Sequence, residues 1–308
     1  MLDWTNAPGG GIPYDISRGL NPSGGKTFYV SNLSAASNSD SNEGTDPQYP
    51  LATIAAAITL SAVSGQRKGD YIFVQDSYDQ DTWPVVINVR NVHLIGLGGG
   101  GYSGTRAGAD GVGESCFKTN TAGGGFELAG FNMGCSTQED PCILQDGVVW
   151  SAYVHHNAFG VTIVGQDGIS ATGASQMAYW TISHNYFGMQ LRNGIYVEAD
   201  SRSHIMHNVF RSNSGVCISI STGILGVIAG NMFSAPITQA EDEGWAISVL
   251  VNGTGGMIMG NMASQAGNGA IGNNPYYDGS AATAALAKNC WANNFDGAAL
   301  SGGPAVND

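Results

Sequence analysis

The sequence predicts an all-β fold, a single-stranded parallel β-helix solenoid with one short helix near its N-terminus. The first observation behind this is a repeat. His155-His156-Asn157-Ala158-Phe159, Ser183-His184-Asn185-Tyr186-Phe187, Met206-His207-Asn208-Val209-Phe210, Ala229-Gly230-Asn231-Met232-Phe233, Met259-Gly260-Asn261-Met262 and Trp291-Ala292-Asn293-Asn294-Phe295 share one pattern, an Asn after a small residue or His with an apolar run before it. Gly130-Phe131-Asn132-Met133 is a weaker copy, and the Asn-to-Asn spacings from 132 to 293 are 25, 28, 23, 23, 30 and 32. Repeats of this length made of short strands stack into solenoids, so Asn157, Asn185, Asn208, Asn231 and Asn261 are expected to form a ladder in one turn. The second observation is composition. Gly is 46 of 308 residues, about twice the usual ~7%, and charged residues are 11% against the usual ~25%. With 43% hydrophobic residues the chain has material for a core.

Residues 1–26 have no period of either kind and read as an N-terminal arm, with Trp4, Pro8 and Pro13 as its assembly contacts. Lys26-Thr27-Phe28-Tyr29-Val30-Ser31 is a strand by composition. The polar stretch 37–47, Ser-Asn-Ser-Asp-Ser-Asn-Glu-Gly-Thr-Asp-Pro, is a turn and lacks the spacing of a calcium loop. Residues 50–58 read as a helix with Pro50 at its start and Leu51, Ile54, Ala55 and Ile58 on one face. Gly69-Asp70-Tyr71-Ile72-Phe73-Val74 and Asn91-Val92-His93-Leu94-Ile95-Gly96 are further strands. The Gly-rich tract 98–124 is expected to be a loop thrown out of the stack. From Phe126 regular coils run to residue 295, followed by a tail, 296–308.

The order strand, Asp40-Ser41-Asn42-Glu43-Gly44-Thr45, Pro50-Leu51-Ala52-Thr53-Ile54-Ala55-Ala56-Ala57, then Gly69-Asp70-Tyr71-Ile72-Phe73-Val74 is similar to the start of right-handed parallel β-helix proteins of the pectate-lyase-like superfamily. The resemblance covers residues 26–75 at motif level and the rest at repeat level. It implies a right-handed parallel β-helix whose open first coil is capped by the short helix. It is poor for function, because the superfamily holds polysaccharide lyases, glycoside hydrolases, epimerases, viral tailspikes and non-catalytic structural proteins.

Taking the Asn as origin aligns the coils. Val154, Ile182, Ile205, Ile228 and Ile258 stand three residues before it and are expected to point inward. His156, His184, His207, Gly230 and Gly260 share their parity, so the imidazoles are expected inside as well, in a structural column beside the Asn ladder. In the strand after each Asn, Ile169, Ile195, Val216 and Trp245 align, as do Ala171, Val197, Ile218 and Ile247. Thr172, Glu198, Ser219 and Ser248 form the outward row.

Glu198 and Asp200, outward on one strand with Arg192 before and Arg202 after, form the best carboxylate cluster of the coils. Paired carboxylates suit glycoside hydrolysis. A calcium-assisted lyase needs acids from successive coils, here only if loops add Asp167 or Glu241 from Glu241-Asp242-Glu243. Tyr196 with Glu198 and Asp200 is the candidate carbohydrate contact, with Trp180 and Trp245 as further stackers. Gly98–Gly101 is no phosphate loop, there is no nucleophile elbow, and no Cys or His spacing suggests zinc. Cys135 and Cys142 flank a short loop and could pair.

Net charge is 11 − 24 = −13, which repels phosphate backbones and anionic lipid surfaces. Nucleic acid is therefore not expected as a partner, nor is membrane insertion, since no apolar run reaches ~18 residues. Met1-Leu2-Asp3-Trp4 has neither the basic start nor the apolar run of a leader. Two functions stay open. One is a non-catalytic virion protein, capsid-decorating or tail-associated, at the virion surface, without a cofactor and forming a homo-oligomer; viral relatives imply a trimer and other virion proteins as partners. The other is a polysaccharide lyase or glycoside hydrolase acting on an acidic or capsular glycan, secreted or carried on a phage tail, with Ca2+ in the lyase case.

Overall fold

The computed structural model describes residues 24–31, 37–64, 69–75, 81–97, 105–109, 114–135, 140–160, 167–173, 175–188, 192–211, 215–224, 226–234, 246–264, 276–279 and 289–296. The arm residues Trp4, Pro8 and Pro13, the tail beyond Asp296, Glu241-Asp242-Glu243 and Trp245 lie outside them.

The chain is a parallel β-solenoid. Each coil runs through a second, a first and then a third sheet, and every strand pairs in parallel with its counterpart one coil away. Sheet 1 has ten strands, from Thr27–Val30 through Tyr71–Val74, His93–Gly96, Glu127–Ala129, Tyr153–His155, Thr181–Ser183, His204–Met206, Val227–Ala229 and Met257–Met259 to Cys290–Ala292. Sheet 2 runs from Val85–Ile87 to Tyr276–Asp278, and sheet 3 from Thr105–Ala109 to Phe295–Asp296. The tract expected as one long loop over 98–124 thus contributes a strand to sheet 3 and another, Phe117–Asn120, to sheet 2.

The apolar row before the Asn is confirmed. Val154, Ile182, Ile205, Ile228 and Ile258 are in register and buried. On sheet 3, Phe159, Phe187, Phe210 and Phe233 stack with ring centroids 4.5, 4.6 and 5.0 Å apart. Parallel sheets stacked in this way require like residues in like places, because each inward side chain meets its own equivalent one strand spacing away, ~4.8 Å. In sheet 2, Ile169 and Ile195 align with Ile218 and Ile247 rather than with Val216 and Trp245. This two-residue correction keeps the inward and outward faces but moves Ser219 and Ser248 opposite Tyr196 instead of Glu198.

Helix α1 is Ile54–Ser64, later than expected. Ile54, Ala57 and Ile58 are buried on the first coil, while Ala55 is exposed; Leu51 precedes the helix and bridges to Val30. The polar stretch before it is a turn, as expected, and also a cap. Asp40 Oδ1 accepts from Ala52 N and Thr53 N at 3.0 and 2.9 Å, and Asp81 accepts from Ile54 N and Ala55 N at 3.1 Å each. These are donors that a helix start leaves unpaired. Burial pushes the Asp81 carboxyl up to about 6, against the lowering effect of those two N–H groups.

The Asn ladder runs from Asn157 through Asn185, Asn208, Asn231 and Asn261 to Asn294. Each side-chain oxygen accepts from the backbone N–H of the preceding coil's Asn at 3.0–3.1 Å. Each side-chain amide reaches the carbonyl of an inward strand residue, as Asn208 Nδ2 reaches Ile182 O at 2.9 Å. Two positions differ from the expectation. Asn294, not Asn293, is the last rung, and Phe131, not Asn132, occupies the equivalent place before Asn157, its N–H donating to Asn157 Oδ1.

Candidate functional site

The residue before each rung adopts the left-handed conformation, with φ of 53° at His156, 55° at His184, 56° at His207, 63° at Gly230, 61° at Gly260 and 53° at Asn293. Strand parity holds only while the backbone is extended, so this one residue turns its side chain outward. His156, His184 and His207 are exposed, contrary to the inward column expected. Their rings follow one another along the solenoid, His156 stacked on His184 at 5.2 Å and His207 tilted by 38° against His184 at 5.4 Å. His207 leans over the next coil, where Gly230 leaves room; a Cβ there would lie 2.6 Å from His207 Nδ1. The sequence carried this signal, since Gly, Asn and His are the residue types that tolerate positive φ.

All six histidines lie on the outer side of sheet 1 or in its turn into sheet 3. Toward the N-terminal end they form a hydrogen-bonded chain across three coils. His93 Nδ1 meets Glu127 Oε2 at 2.5 Å, Glu127 Oε1 meets His155 Nε2 at 2.7 Å, and His155 Nδ1 meets His156 Nδ1 at 2.7 Å. Tyr71 stacks on His93 at 4.2 Å and Tyr153 on His155 at 3.9 Å. A carboxylate only accepts, so His93 and His155 each turn an N–H toward Glu127. In neutral His155 the Nδ1 is then an acceptor for His156. Burial alone would raise the Glu127 carboxyl, but the hydrogen bonds and charge of His155 and His93 hold it down at about 2. Burial, with the charges of His155 and His184, lowers His156 below the usual imidazole range. Among the described residues Glu127 is the one carboxylate on the outward positions of the ten strands of sheet 1.

Two coils further on, the segment from Arg202 to Arg211 exposes four side chains, Arg202, His204, His207 and Arg211, and every one is a base. Arg202 Nη1 contacts Tyr179 OH at 3.3 Å, and Tyr179 stacks against Trp150 at 5.8 Å. A transverse row of four bases therefore crosses the imidazole column at His207.

The residues expected to form an acidic site do not converge. In Ile195–Ser201, Tyr196 and Glu198 are half-buried and outward, but Asp200 is 2% exposed and points inward. The strand changes face after Glu198, where its neighbour on one side switches from Ile169–Ala171 to Gln176–Ala178 and Asp200 pairs with Met177, while Ile218–Ile224 stays paired on the other side. Asp200 Oδ2 accepts from Ser203 N at 3.3 Å, while its buried Oδ1 meets no hydrogen-bond partner among the described residues. Burial pushes its carboxyl up to about 6. Glu198 accepts from Gly173 N at 2.5 Å. Arg192 makes a bidentate pair with Asp167, at 3.0 and 2.8 Å, and Arg202 turns to Tyr179. Beside Tyr196, the outward Ser170, Ser219 and Ser248 are buried, so this strip of sheet 2 is not an open platform. Trp180 is buried, its indole donating to Val149 O at 3.0 Å. Cys142 is buried, and the side chain of Cys135 lies outside the description.

Among the described residues no group of three or more His, Cys, Asp or Glu is arranged to hold a metal ion, and no helix is long and apolar enough to cross a membrane. The chain matches no family model, no curated protein and no solved structure.

Proposed function

We propose that this chain is a non-catalytic assembly and attachment solenoid of a virion surface, capsid-decorating or tail-associated, acting as a homo-oligomer, a trimer by analogy with viral β-helices, and without a cofactor. The observation that carries this is the outer margin of the last coils. Met232, Met262 and Phe295, 45–50% exposed, are in register on sheet 3, and Met257, 44% exposed, stands on sheet 1 in the strand before Met262. Contiguous apolar surface of this kind marks an interaction site. The separation of Glu198 from Asp200 across the wall supports the same reading, because carboxylates on opposite sides of a sheet cannot flank one glycosidic bond. The virion setting rests on the resemblance of residues 26–75 alone.

The test pairs two measurements. Sedimentation velocity of the purified chain should give an oligomer that dissociates in a Met257→Ser, Met262→Ser variant. Reducing-end and unsaturated-uronate assays on acidic and capsular glycans, with and without calcium, should stay flat. Turnover that disappears on Glu198→Gln would overturn the reading in favour of a glycan-cleaving enzyme.

A further inference from the structure

Adjacent side chains on a strand point to opposite faces, so neighbours in sequence do not ordinarily share a ligand. His155 and His156 are an exception that the fold makes. His155 is the last residue of Tyr153–His155 and faces outward, and the left-handed backbone at His156, φ 53°, swings the next ring to the same side. The two rings stand edge to face, 85° apart in plane, with their Nδ1 atoms 2.7 Å from each other. The equivalent turns lack the second ring nitrogen. The residues before His184, His207, Gly230, Gly260 and Asn293 are Ser183, Met206, Ala229, Met259 and Ala292.

We propose that His155 Nδ1 and His156 Nδ1 chelate one divalent copper ion on the outer wall of sheet 1, in cis positions of a tetragonal site completed by solvent oxygen. The spacing selects the metal. Two nitrogens each ~2.0 Å from an ion stand ~2.8 Å apart across a right angle and ~3.3 Å apart across the tetrahedral angle. The separation of 2.7 Å suits the right angle. Square-planar or tetragonal nitrogen and oxygen donors mark Cu(II) or Ni(II), and Cu(II) binds most tightly of the divalent first-row ions. Zinc asks for a tetrahedron and has to force the rings apart.

A second observation is the carboxylate behind the ring. A metal-bound imidazole almost always gives its other N–H to a carboxylate, a carbonyl or water. His155 Nε2 meets Glu127 Oε1 at 2.7 Å, and the other Glu127 oxygen is held by His93 Nδ1. That bond fixes the tautomer and leaves the His155 Nδ1 lone pair facing His156. Tyr153, stacked on His155 at 3.9 Å, and His184, stacked on His156 at 5.2 Å, hold both rings in place. In the neutral pair the hydrogen between the two Nδ1 atoms belongs to His156. It passes to Nε2 of the same ring as the ion takes its place, so both imidazoles stay neutral and Glu127 supplies the nearest negative charge. The site is a pair, smaller than the groups of three or more that the described residues lack. It asks no reaction of the chain, so the attachment reading stands or falls without it.

The test is titration of the full chain with Cu(II) against a competing chelator of known affinity, followed by electron paramagnetic resonance at less than one equivalent. One equivalent should bind first and give an axial spectrum whose spin-echo modulation counts two imidazoles. His155→Gln and His156→Asn should each weaken this first site at least ~10-fold and reduce the count to one. Asn fits the left-handed turn, as Asn293 shows. Glu127→Gln removes the charge behind the ring and should weaken the site ~10-fold with the count still two. His207→Asn, at the same turn two coils on and outside the pair, should leave affinity and count unchanged. A first equivalent that shows one imidazole would overturn the proposal. So would an affinity kept by His155→Gln or His156→Asn, an affinity lost with His207→Asn, or zinc bound as tightly as copper. Far-UV circular dichroism checks each variant. His156 is exposed, so its change burdens the fold least, and His156→Asn with the imidazole count of the parent decides the matter if another variant unfolds.

Discussion

Replacing Asn208 by Leu removes one interior rung of the ladder without leaving a large void, so its cost isolates the hydrogen bonds. Asn208 Oδ1 accepts from Asn185 N and Asn185 Nδ2, each at 3.0 Å, and Asn208 Nδ2 donates to Ile182 O at 2.9 Å and Asn231 Oδ1 at 3.0 Å. Not all four losses count equally. Asn185 Nδ2 keeps Val154 O, and Asn231 Oδ1 keeps the backbone N–H of residue 208. The Asn185 N–H is stranded in a buried turn, and Ile182 O loses its side-chain donor. At ~1–3 kcal/mol for each buried group deprived of its partner, the variant should lose ~2–6 kcal/mol. The assay is thermal and urea unfolding followed by far-UV circular dichroism, with hydrogen exchange of the Asn185 amide as the local readout. That amide should lose most of its protection beyond the global loss of stability. Unchanged exchange at Asn185, or a stability change within ~0.5 kcal/mol, which is the scatter of surface substitutions, would refute the ladder as a source of stability.

Three further outcomes are expected. Asp200 has a folded-state value of about 6 against 3.8 for the free group; the native state therefore holds its proton longer, stability falls as pH rises from 3.8 to about 6, and about two units correspond to ~3 kcal/mol. Asp200→Asn should thus gain most of this near pH 8 and little near pH 4, and denaturation curves with the same pH dependence in both proteins would contradict it. Glu127 is shifted the other way, to about 2, so its contribution is full above its ordinary 4.5 and lost as pH falls toward 2; Glu127→Gln should cost ~1–3 kcal/mol at neutral pH, and an unchanged melting temperature there would show the His93–Glu127–His155 chain to be idle. Gly260→Asn should be close to neutral, since Asn293 holds the same left-handed turn and nothing lies within 4 Å of the new Cβ, whereas Gly230→Ala meets the His207 ring and should lose ~1–2 kcal/mol; equal melting temperatures for the two variants would remove the close packing at His207.

Much of this architecture was legible in the chain itself, for a local reason. A solenoid repeats one short unit, so the inward Val154, Ile182, Ile205, Ile228 and Ile258 and the rungs Asn157 to Asn261 fall into register by counting from one Asn to the next. Counting failed where the units are irregular. At the last coil two adjacent asparagines left the choice to backbone geometry, which makes Asn293 the turn and Asn294 the rung. Two strands of sheet 2 slipped by two residues in the alignment, because Val216 and Trp245 are as apolar as the residues that occupy the place, Ile218 and Ile247.

The sequence alone thus determined that the chain stacks as a parallel β-solenoid behind a capping helix, since that follows from repeat length and the apolar period within each strand. The tertiary structure decided which polar side chains meet. Alternation predicts facing only along extended backbone, and a single left-handed residue or a strand that changes partners resets it. That reset put His156, His184 and His207 outside, turned Asp200 into the wall and away from Glu198, and left Arg202, His204, His207 and Arg211 as the exposed side chains of the segment from Arg202 to Arg211. Glu127 and His93 are 34 residues apart, and Glu127 and His155 are 28 apart. Only the stacking of coils one strand spacing apart, ~4.8 Å, brings the three together.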